Sequence, residues 1–268
     1  MNRLGCELDY LNRHILPPLL SHVGGLFARR SMPAHNEQHH QRVWRHCQSL
    51  LQALSNAGHD IAPQLARNAL IACMFHDTGL LVDIGESHGK HSATICADYL
   101  KGHNIVDASE HVAILEAIAQ HDNKQLRCQT TATTTNMLSL NVLVATADDL
   151  DAAGLVGAVR YIEIYSQRGI AANDIAPRAR QNVAQRRNNW SNAYRPLRDL
   201  VALHSARFAI TEQFFEQLPQ HPELLPWIMD NLVGAQNIDL QQLAKTEPSE
   251  PVGNFLNKLL VELNHSAQ

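Results

Sequence analysis

Apolar residues recur at about every third or fourth position along most of this chain, which is the spacing of an amphipathic α-helix. In residues 36–57 this spacing is carried by Val43, Cys47, Leu50, Leu51 and Leu54. The strict alternation of apolar and polar residues that marks β-strands is nearly absent. The pattern therefore predicts an all-α fold.

The same spacing predicts a run of helices over 36–57, 63–76, 88–101, 107–120, 137–149 and 153–168. Pro63 suits the first position of its helix, and Gly102 and Gly169 suit the ends of theirs. The threonine-rich stretch 130–136 predicts an exposed loop. We therefore expect a helical domain over 30–168, preceded by a helical segment over 1–29.

The last hundred residues have a different character. Residues 175–190 carry four arginines (Arg178, Arg180, Arg186 and Arg187), a run that is typical of a solvated helix face. A long helix is predicted over 194–218 and a short one over 252–263, with a proline-rich break between them. We expect 169–268 to form a helical C-terminal extension that shapes specificity or assembly and supplies no metal ligand.

Composition narrows the class of protein. The chain has 268 residues, 45% of them hydrophobic, which is enough for a sizeable core. Its net charge of -4 argues against specific nucleic-acid binding through a basic surface. Five cysteines without a CxxC pair suit free thiols in a reducing compartment. Without a signal-peptide core at residues 1–7 or an 18-residue apolar run, a cytoplasmic location and no membrane segment are expected.

The most informative chemistry is the pair His76–Asp77, which follows the apolar run 70–75 and precedes Gly79. An imidazole and a carboxylate are costly to bury together unless something binds them. A divalent metal is the usual partner, because neutral imidazole and ionised carboxylate are both good ligands for it. The pair therefore suggests a metal site near the end of a buried helix, where Gly79 would stop the helix.

Other histidines and aspartates stand where they could complete such a site. His35 and His39 are four residues apart and would share one helix face, as would His88 and His91. His121 closes the predicted helix 107–120, and Asp148 stands near the end of 137–149. A lone histidine is usually a surface residue, but this ordered set is difficult to obtain by chance.

In these motifs the chain resembles the HD-domain superfamily of metal-dependent phosphohydrolases, whose signature is a His, a His-Asp pair and a distant Asp. The resemblance covers about residues 30–160. His39, in H-H-Q-R-V, is similar to the family's H-x-x-R-V opening, and Asp148, in A-D-D-L-D-A-A-G, to its A-D-x-L-D-x-x-G ending. The resemblance implies a helical bundle in which His39, His76, Asp77 and Asp148 hold one metal.

The resemblance also implies a second metal in part of the superfamily. His88, in H-G-K-H-S-A, fits the H-x-x-x-[SG]-A pattern better than His91 does, and His121 fits the histidine that ends the following helix. With Asp77 bridging, these residues would hold a second ion. The G-Y-P motif of the cyclic-dinucleotide branch is absent after His121, which argues against that substrate.

Three further residues are candidates for catalysis or substrate binding. The run His35-Asn36-x-x-His39 resembles the H-N-x-x-H of cyclic-nucleotide phosphodiesterases, in which the first histidine protonates the leaving oxygen. The alternative for His35 is a residue that merely supports His39, and the sequence does not decide between them. Arg42 and Lys90 are candidate phosphate contacts, although a solvated helix face is the stronger interpretation of Lys90.

The resemblance implies hydrolysis of a phosphate ester or anhydride of a nucleotide or another small phosphorylated metabolite by metal-activated water. It also implies that Asp77 is a catalytic residue as well as a metal ligand. The alternatives are a di-iron oxygenase, which uses the same order of ligands, and a non-catalytic signalling or binding module. Mixed His/Asp ligation admits Mn, Fe, Ni, Co, Mg or Zn, one or two ions per chain. The sequence does not indicate the oligomeric state.

Overall fold

The computed structural model describes residues 3–30, 32–123, 134–234, 239–246 and 249–267. Within these ranges the regular structure is helical, and no strand occurs. The all-α prediction is therefore confirmed. None of the helices in the described ranges combines the length and the apolar character that crossing a membrane requires.

The helices of the first half are α1 (Arg3–Tyr10), α2 (Leu16–Phe27), α3 (Glu37–Asn56), α4 (Pro63–Phe75), α5 (His88–Gly102) and α6 (His111–Gln120). Those of the second half are α7 (Thr134–Met137), α8 (Leu140–Asp151), α9 (Gly154–Gln167), α10 (Ala172–Ala193), α11 (Arg198–Gln217), α12 (Leu224–Ile228), α13 (Leu240–Thr246) and α14 (Glu250–Ala267). Short π-helical and 3-10 turns join several of them, including the 3-10 turn Thr78–Leu81 that follows α4.

The predicted helices agree with these bounds to within a few residues at most ends, with three differences. Residues 130–133 of the predicted loop lie outside the described ranges, and Thr134–Met137 is a short helix. The helix predicted from 107 begins as the 3-10 turn Ala108–Glu110. The helix predicted from 194 begins at Arg198 instead, because Pro196 cannot continue a helix and disfavours helical backbone before it.

Backbone contacts divide the described chain into two compact units that interleave along the sequence. The first contains the described residues of 1–30, 35–150 and 188–202, and the second those of 31–34, 151–187 and 203–268. The segment 188–202 of the predicted extension thus belongs to the same unit as the His-Asp pair. The division of the sequence at residues 30 and 168 stays a prediction.

The core of the first unit is built on α3 and α4. The α3 residues that carry the helical pattern (Val43, Cys47, Leu50, Leu51 and Leu54) have no exposed surface. Residues 69–75 of α4 are buried all round, as their continuous apolar run predicts. Each buried leucine stabilises the fold by about 1.5–3 kcal/mol relative to an exposed one. The end of α4 is therefore held rigidly inside the protein.

Within the second unit, the start of α9 is held by polar side chains. Gly154 has a positive φ of 86°, and its N–H donates to Thr211 Oγ1 at 2.6 Å. The carboxylate of Glu262 accepts from the N–H of Leu155 at 2.6 Å, and Arg207 donates to the Ala153 carbonyl at 2.9 Å. The first two bonds satisfy N–H groups that a helix start leaves without intrahelical partners, and the third ties α11 to the residue before α9.

In the first unit, segment 188–202 is anchored by two buried aromatic residues. Trp190 and Tyr194 have no exposed surface, and their ring centroids lie 5.3 Å apart. The Tyr194 hydroxyl donates to the Met137 carbonyl at 3.1 Å and also hydrogen-bonds with the side chain of Thr146. Because Thr146 stands in α8 two residues before Asp148, Tyr194 helps to hold the helix that carries a candidate metal ligand.

We predict that Tyr194→Phe lowers the free energy of unfolding by about 1–3 kcal/mol, because the Met137 carbonyl loses a buried donor. Urea denaturation followed by circular dichroism measures this change. Tyr10→Phe is the matched control, since Tyr10 is 46% exposed and should tolerate the change. Equal effects of the two substitutions would contradict the anchoring role of Tyr194.

Candidate metal centre

The six predicted ligands all stand at or next to helix ends in the first unit. His39 is in the first turn of α3, and His88 is the first residue of α5. The other four stand where helices end: His76 and Asp77 after α4, His121 after α6, and Asp148 in the last turn of α8. All six are at most 5% exposed. The fold thus brings together at one buried place residues that are spread over more than a hundred positions.

The first cluster consists of His39, His76, Asp77 and Asp148. The Nε2 atoms of His39 and His76 lie 3.1 Å apart, and Asp77 Oδ2 lies 3.4 and 3.5 Å from them. Asp148 Oδ1 is 3.7 Å from both nitrogens. Ligands of a metal with bonds of about 2.0–2.2 Å stand roughly 2.9–3.6 Å from their neighbours. The distances among His39, His76 and Asp77 lie in this range and those to Asp148 just beyond it, so the set suits a bound ion.

The second cluster consists of Asp77, His88 and His121. The two Nε2 atoms lie 3.3 Å apart, and Asp77 Oδ1 is 3.3 Å from His88 and 3.1 Å from His121. One oxygen of Asp77 therefore faces the first cluster and the other faces the second. This is the arrangement of a carboxylate that could bridge two ions.

Backbone carbonyls orient three of the imidazoles in the same way. Nδ1 of His76 lies 2.8 Å from the Cys73 carbonyl, while Nδ1 of His88 and of His121 each lie 2.7 Å from a carbonyl three residues earlier, those of Gly85 and Ile118. A carbonyl only accepts, so Nδ1 carries the proton in each ring, and a neutral ring presents a lone pair at Nε2. This tautomer is the one that binds a metal through Nε2.

These orientations make the second cluster a set of converging acceptors. With neutral rings, the lone pairs of His88 and His121 Nε2 point toward each other and toward an Asp77 oxygen, all inside the protein. Buried acceptors that face one another are unfavourable unless a proton or a cation lies between them. The chemistry and the spacing of the donor set therefore fit a divalent metal.

Electrostatics of the protein without a metal show the same demand for positive charge. Burial alone would raise the pKa of Asp77, but the charge of His76 and hydrogen bonds from the neighbouring histidines bring it well below its usual range. Burial would lower the pKa of His88, yet the hydrogen bond and charge of Asp77 raise it to about 9. Protons on the histidines thus take the role that a metal would have.

A close approach of backbone supports the second cluster. Gly79 lies in the 3-10 turn Thr78–Leu81 rather than simply ending a helix, and a Cβ at this position would collide with the His88 carbonyl. The Gly79 N–H donates to Ser92 Oγ at 2.7 Å, and Ser92 is fully buried. Only glycine lets the turn after Asp77 pack against the start of α5, which fixes His88 next to Asp77.

His35 is buried directly before α3, and its ring centroid lies 5.6 Å from that of His39 in an edge-on arrangement. Asn36 caps the helix, since its side chain accepts from the Gln38 N–H at 3.0 Å. The H-N-x-x-H run thus combines a helix cap with two neighbouring imidazoles. The structure places His35 beside the first cluster, as both interpretations of it require.

The two candidate phosphate contacts are placed differently. Arg42 is half-buried on α3, three residues after His39 and therefore on a neighbouring part of the same face. Lys90 is exposed on α5, two residues after His88 and hence about 200° around the helix from it. Helical spacing puts Arg42 on the side of α3 that carries His39, whereas Lys90 is exposed to solvent. Both assignments to substrate stay predictions.

Sequence reasoning missed the groups that orient the ligands. The carbonyls of Cys73, Gly85 and Ile118 carry no side-chain signal, although each stands three residues before a histidine that follows or starts a helix. The fully buried His40, adjacent to His39, was also missed. Asp149 is also buried, at 1% exposed, and the only sequence signal for this is its position next to Asp148.

Comparisons with family models, curated proteins and solved structures found no match to this chain. The fold and the site together define an all-α protein with a buried His/Asp cluster that could hold a divalent metal.

We predict that metal binding releases protons. The pKa of His88 is raised to about 9, so at pH 7 this ring is protonated without metal and must lose its proton to become a ligand. Metal affinity should therefore rise with pH and level off above about pH 9. Calorimetric titration with Mn²⁺ at pH 7, in buffers of different ionisation enthalpy, measures the protons released.

The variant His88→Ala should release fewer protons than the wild type, whereas His91→Ala should match it. The free energy of unfolding of the metal-free chain should change with pH in the opposite direction to metal affinity. The raised pKa of His88 stabilises the fold fully below about pH 6.5, and this contribution is lost as the pH rises through about 9. Metal binding without proton release at pH 7 would contradict the proposed ligand role of His88.

Proposed function

We propose that this chain is a metal-dependent phosphohydrolase of the HD-domain type, acting on a phosphate ester or anhydride of a nucleotide or another small phosphorylated metabolite. The observation that carries the proposal is the Asp77 carboxylate, whose two oxygens face two separate sets of imidazoles. A carboxylate between two metal-binding sets suits in-line displacement at phosphorus, because two adjacent ions can hold the attacking and leaving sides.

The residues divide into two ligand sets with one member in common. His39, His76 and Asp148 would hold one ion together with Asp77, while His88 and His121 would hold the other. Divalent cations bound there supply Lewis acidity, which lowers the pKa of a coordinated water and neutralises charge on phosphoryl oxygens. The carbonyl bonds fix the proton on Nδ1 and turn each imidazole so that Nε2 is directed at the site.

His35 is proposed to protonate the leaving oxygen. It is 4% exposed and lies beside the first cluster, and an imidazole can carry and deliver a proton near neutral pH. Arg42 is proposed to contact the phosphate, since a guanidinium forms paired hydrogen bonds with phosphate oxygens. Lys90 is the weaker candidate for this contact because it is exposed.

A di-iron oxygenase is the second candidate, because the same shared carboxylate between two His/Asp sets suits a pair of iron ions. Visible colour and iron in the purified protein, together with a lack of phosphatase activity, would favour it. A non-catalytic binding module is disfavoured by a buried set of six ligands with none missing.

The direct experiment is hydrolysis of generic phosphate esters by the full chain, stripped of metal and then reloaded separately with Mn²⁺, Fe²⁺, Ni²⁺, Co²⁺, Mg²⁺ or Zn²⁺. The proposal expects release of p-nitrophenol from p-nitrophenyl phosphate or its diester, only after reloading. A panel of nucleotides and sugar phosphates then narrows the substrate. Absence of hydrolysis with every metal and every compound would overturn the proposal.

We predict that the effect of His35→Asn depends on the leaving group. Loss of a general acid should lower kcat by about 10²–10⁴ on an aliphatic phosphate ester, whose alkoxide needs a proton. The effect should be much smaller on p-nitrophenyl phosphate, whose phenolate leaves without one. Metal content should stay at the wild-type value, and His91→Asn is the matched control.

An equal loss on both substrates, accompanied by reduced metal content, would show instead that His35 only supports His39. That result would remove the proton-donor role and leave the hydrolase proposal in place, because hydrolysis by the wild type is measured separately.

A further inference from the structure

His40 stands next to a proposed ligand and is buried without an assigned role. It has no exposed surface and lies on α3 directly after His39. Its ring centroid is 4.8 Å from that of His76, 5.2 Å from that of His39 and 5.3 Å from that of Phe27. It is not a member of either ligand cluster found in the described part of the chain. Three imidazoles are thus packed together, of which two are proposed ligands.

The two ring nitrogens of His40 have different surroundings. Nδ1 lies 3.2 Å from the Cys73 carbonyl and must donate, because a carbonyl only accepts. Nε2 is buried, and the described residues offer it no hydrogen-bond partner. An apolar side chain of similar size would avoid this unsatisfied nitrogen. The feature that distinguishes histidine here from a leucine or phenylalanine is therefore the Nδ1–H.

The carbonyl that receives this bond also orients a proposed ligand. The Nδ1–H of His76 donates to the same Cys73 oxygen at 2.8 Å. Cys73 lies in the last turn of α4, where carbonyls lack intrahelical partners and carry the negative end of the helix dipole. A carbonyl oxygen has two lone pairs, so it can accept from both imidazoles at once.

We propose that His40 is a positioning residue for the metal centre, which it supports by sharing the Cys73 carbonyl with His76. The bond from α3 fixes the carbonyl at the end of α4, and the fixed carbonyl sets the turn of the His76 ring and keeps its Nε2 lone pair directed at the first cluster. His39 comes from α3 and His76 from the end of α4, so His40 also ties together the two helices that supply these ligands. The inference rests on the metal centre of the proposed function and not on its phosphatase chemistry.

The test compares His40→Leu with His40→Asn. These two side chains have the same number and branching of heavy atoms, but only the asparagine amide can donate from near the position of Nδ1. If His40 is merely part of the core, leucine should be the better replacement in every respect, because it buries no polar group. If His40 positions the carbonyl, asparagine should preserve metal binding better, even though it stabilises the fold less.

The probe is Co²⁺, titrated into the metal-free full chain and followed by its visible absorption, which reports affinity and coordination geometry. Loss of a group that orients a ligand typically weakens metal binding by about 10–100-fold. We expect a weakening of about tenfold for His40→Leu with an altered spectrum, and wild-type spectrum and affinity to within about threefold for His40→Asn. Urea denaturation of the metal-free variants should give the opposite order, with leucine the more stable.

The matched control is His103→Leu, since His103 Nδ1 also lies 2.8 Å from a carbonyl, that of Tyr99, and His103 is a member of neither cluster. It should leave Co²⁺ binding unchanged. Should His40→Leu fail to fold, His40→Phe fills the same volume without a donor and should show the same loss of affinity.

Two results overturn the inference. Wild-type affinity and spectrum in His40→Leu or His40→Phe would show that the bond to Cys73 does not matter, and so would an equal loss in His40→Asn. In both cases Co²⁺ binding by the wild type would still support the proposed function. If the wild type itself binds no Co²⁺, the metal centre is absent, and this inference falls together with the proposed function.

Discussion

The rest of the candidate site depends on the buried carboxylate of Asp77, whose two oxygens each lie close to a different pair of imidazoles. Its Oδ2 lies 3.4 and 3.5 Å from His39 and His76, and its Oδ1 lies 3.3 and 3.1 Å from His88 and His121. Ionised and 5% exposed, it is tolerable inside the protein only with positive charge on both sides. This requirement accounts for four histidines converging on one residue at the end of a buried helix.

The surrounding fold keeps these groups from relaxing away from each other. The apolar end of α4 is buried all round, which fixes Asp77, and Gly79 lets the next turn approach the start of α5. Carbonyls at or near helix ends then hold the imidazoles by Nδ1, so the groups that helices leave unsatisfied become the supports of the ligands. Packing, helix termination and ligand orientation are in this way parts of one arrangement.

The sequence was sufficient for the helices and for the grouping of the six candidate ligands. Helical spacing predicted the buried face of α3, and the order of His39, His76–Asp77, His88, His121 and Asp148 predicted residues that the fold does bring together. A chain pattern reports which residue types recur, but not which backbone groups they meet. His40 and His76 share the Cys73 carbonyl only because α3 packs against α4, and the sequence does not report that packing. For the same physical reason, the place of Tyr194 in the unit that holds the clusters could not be predicted from local periodicity.

The central claim is that Asp77 belongs to two metal sites at once, and metal content tests it most directly. Elemental analysis of chains reconstituted with Mn²⁺ should give about two ions for the wild type and for Asp98→Ala, an exposed aspartate on α5 outside both clusters. Asp77→Ala should lose both ions while circular dichroism still shows a helical fold. A folded Asp77→Ala chain that keeps two ions would contradict the account.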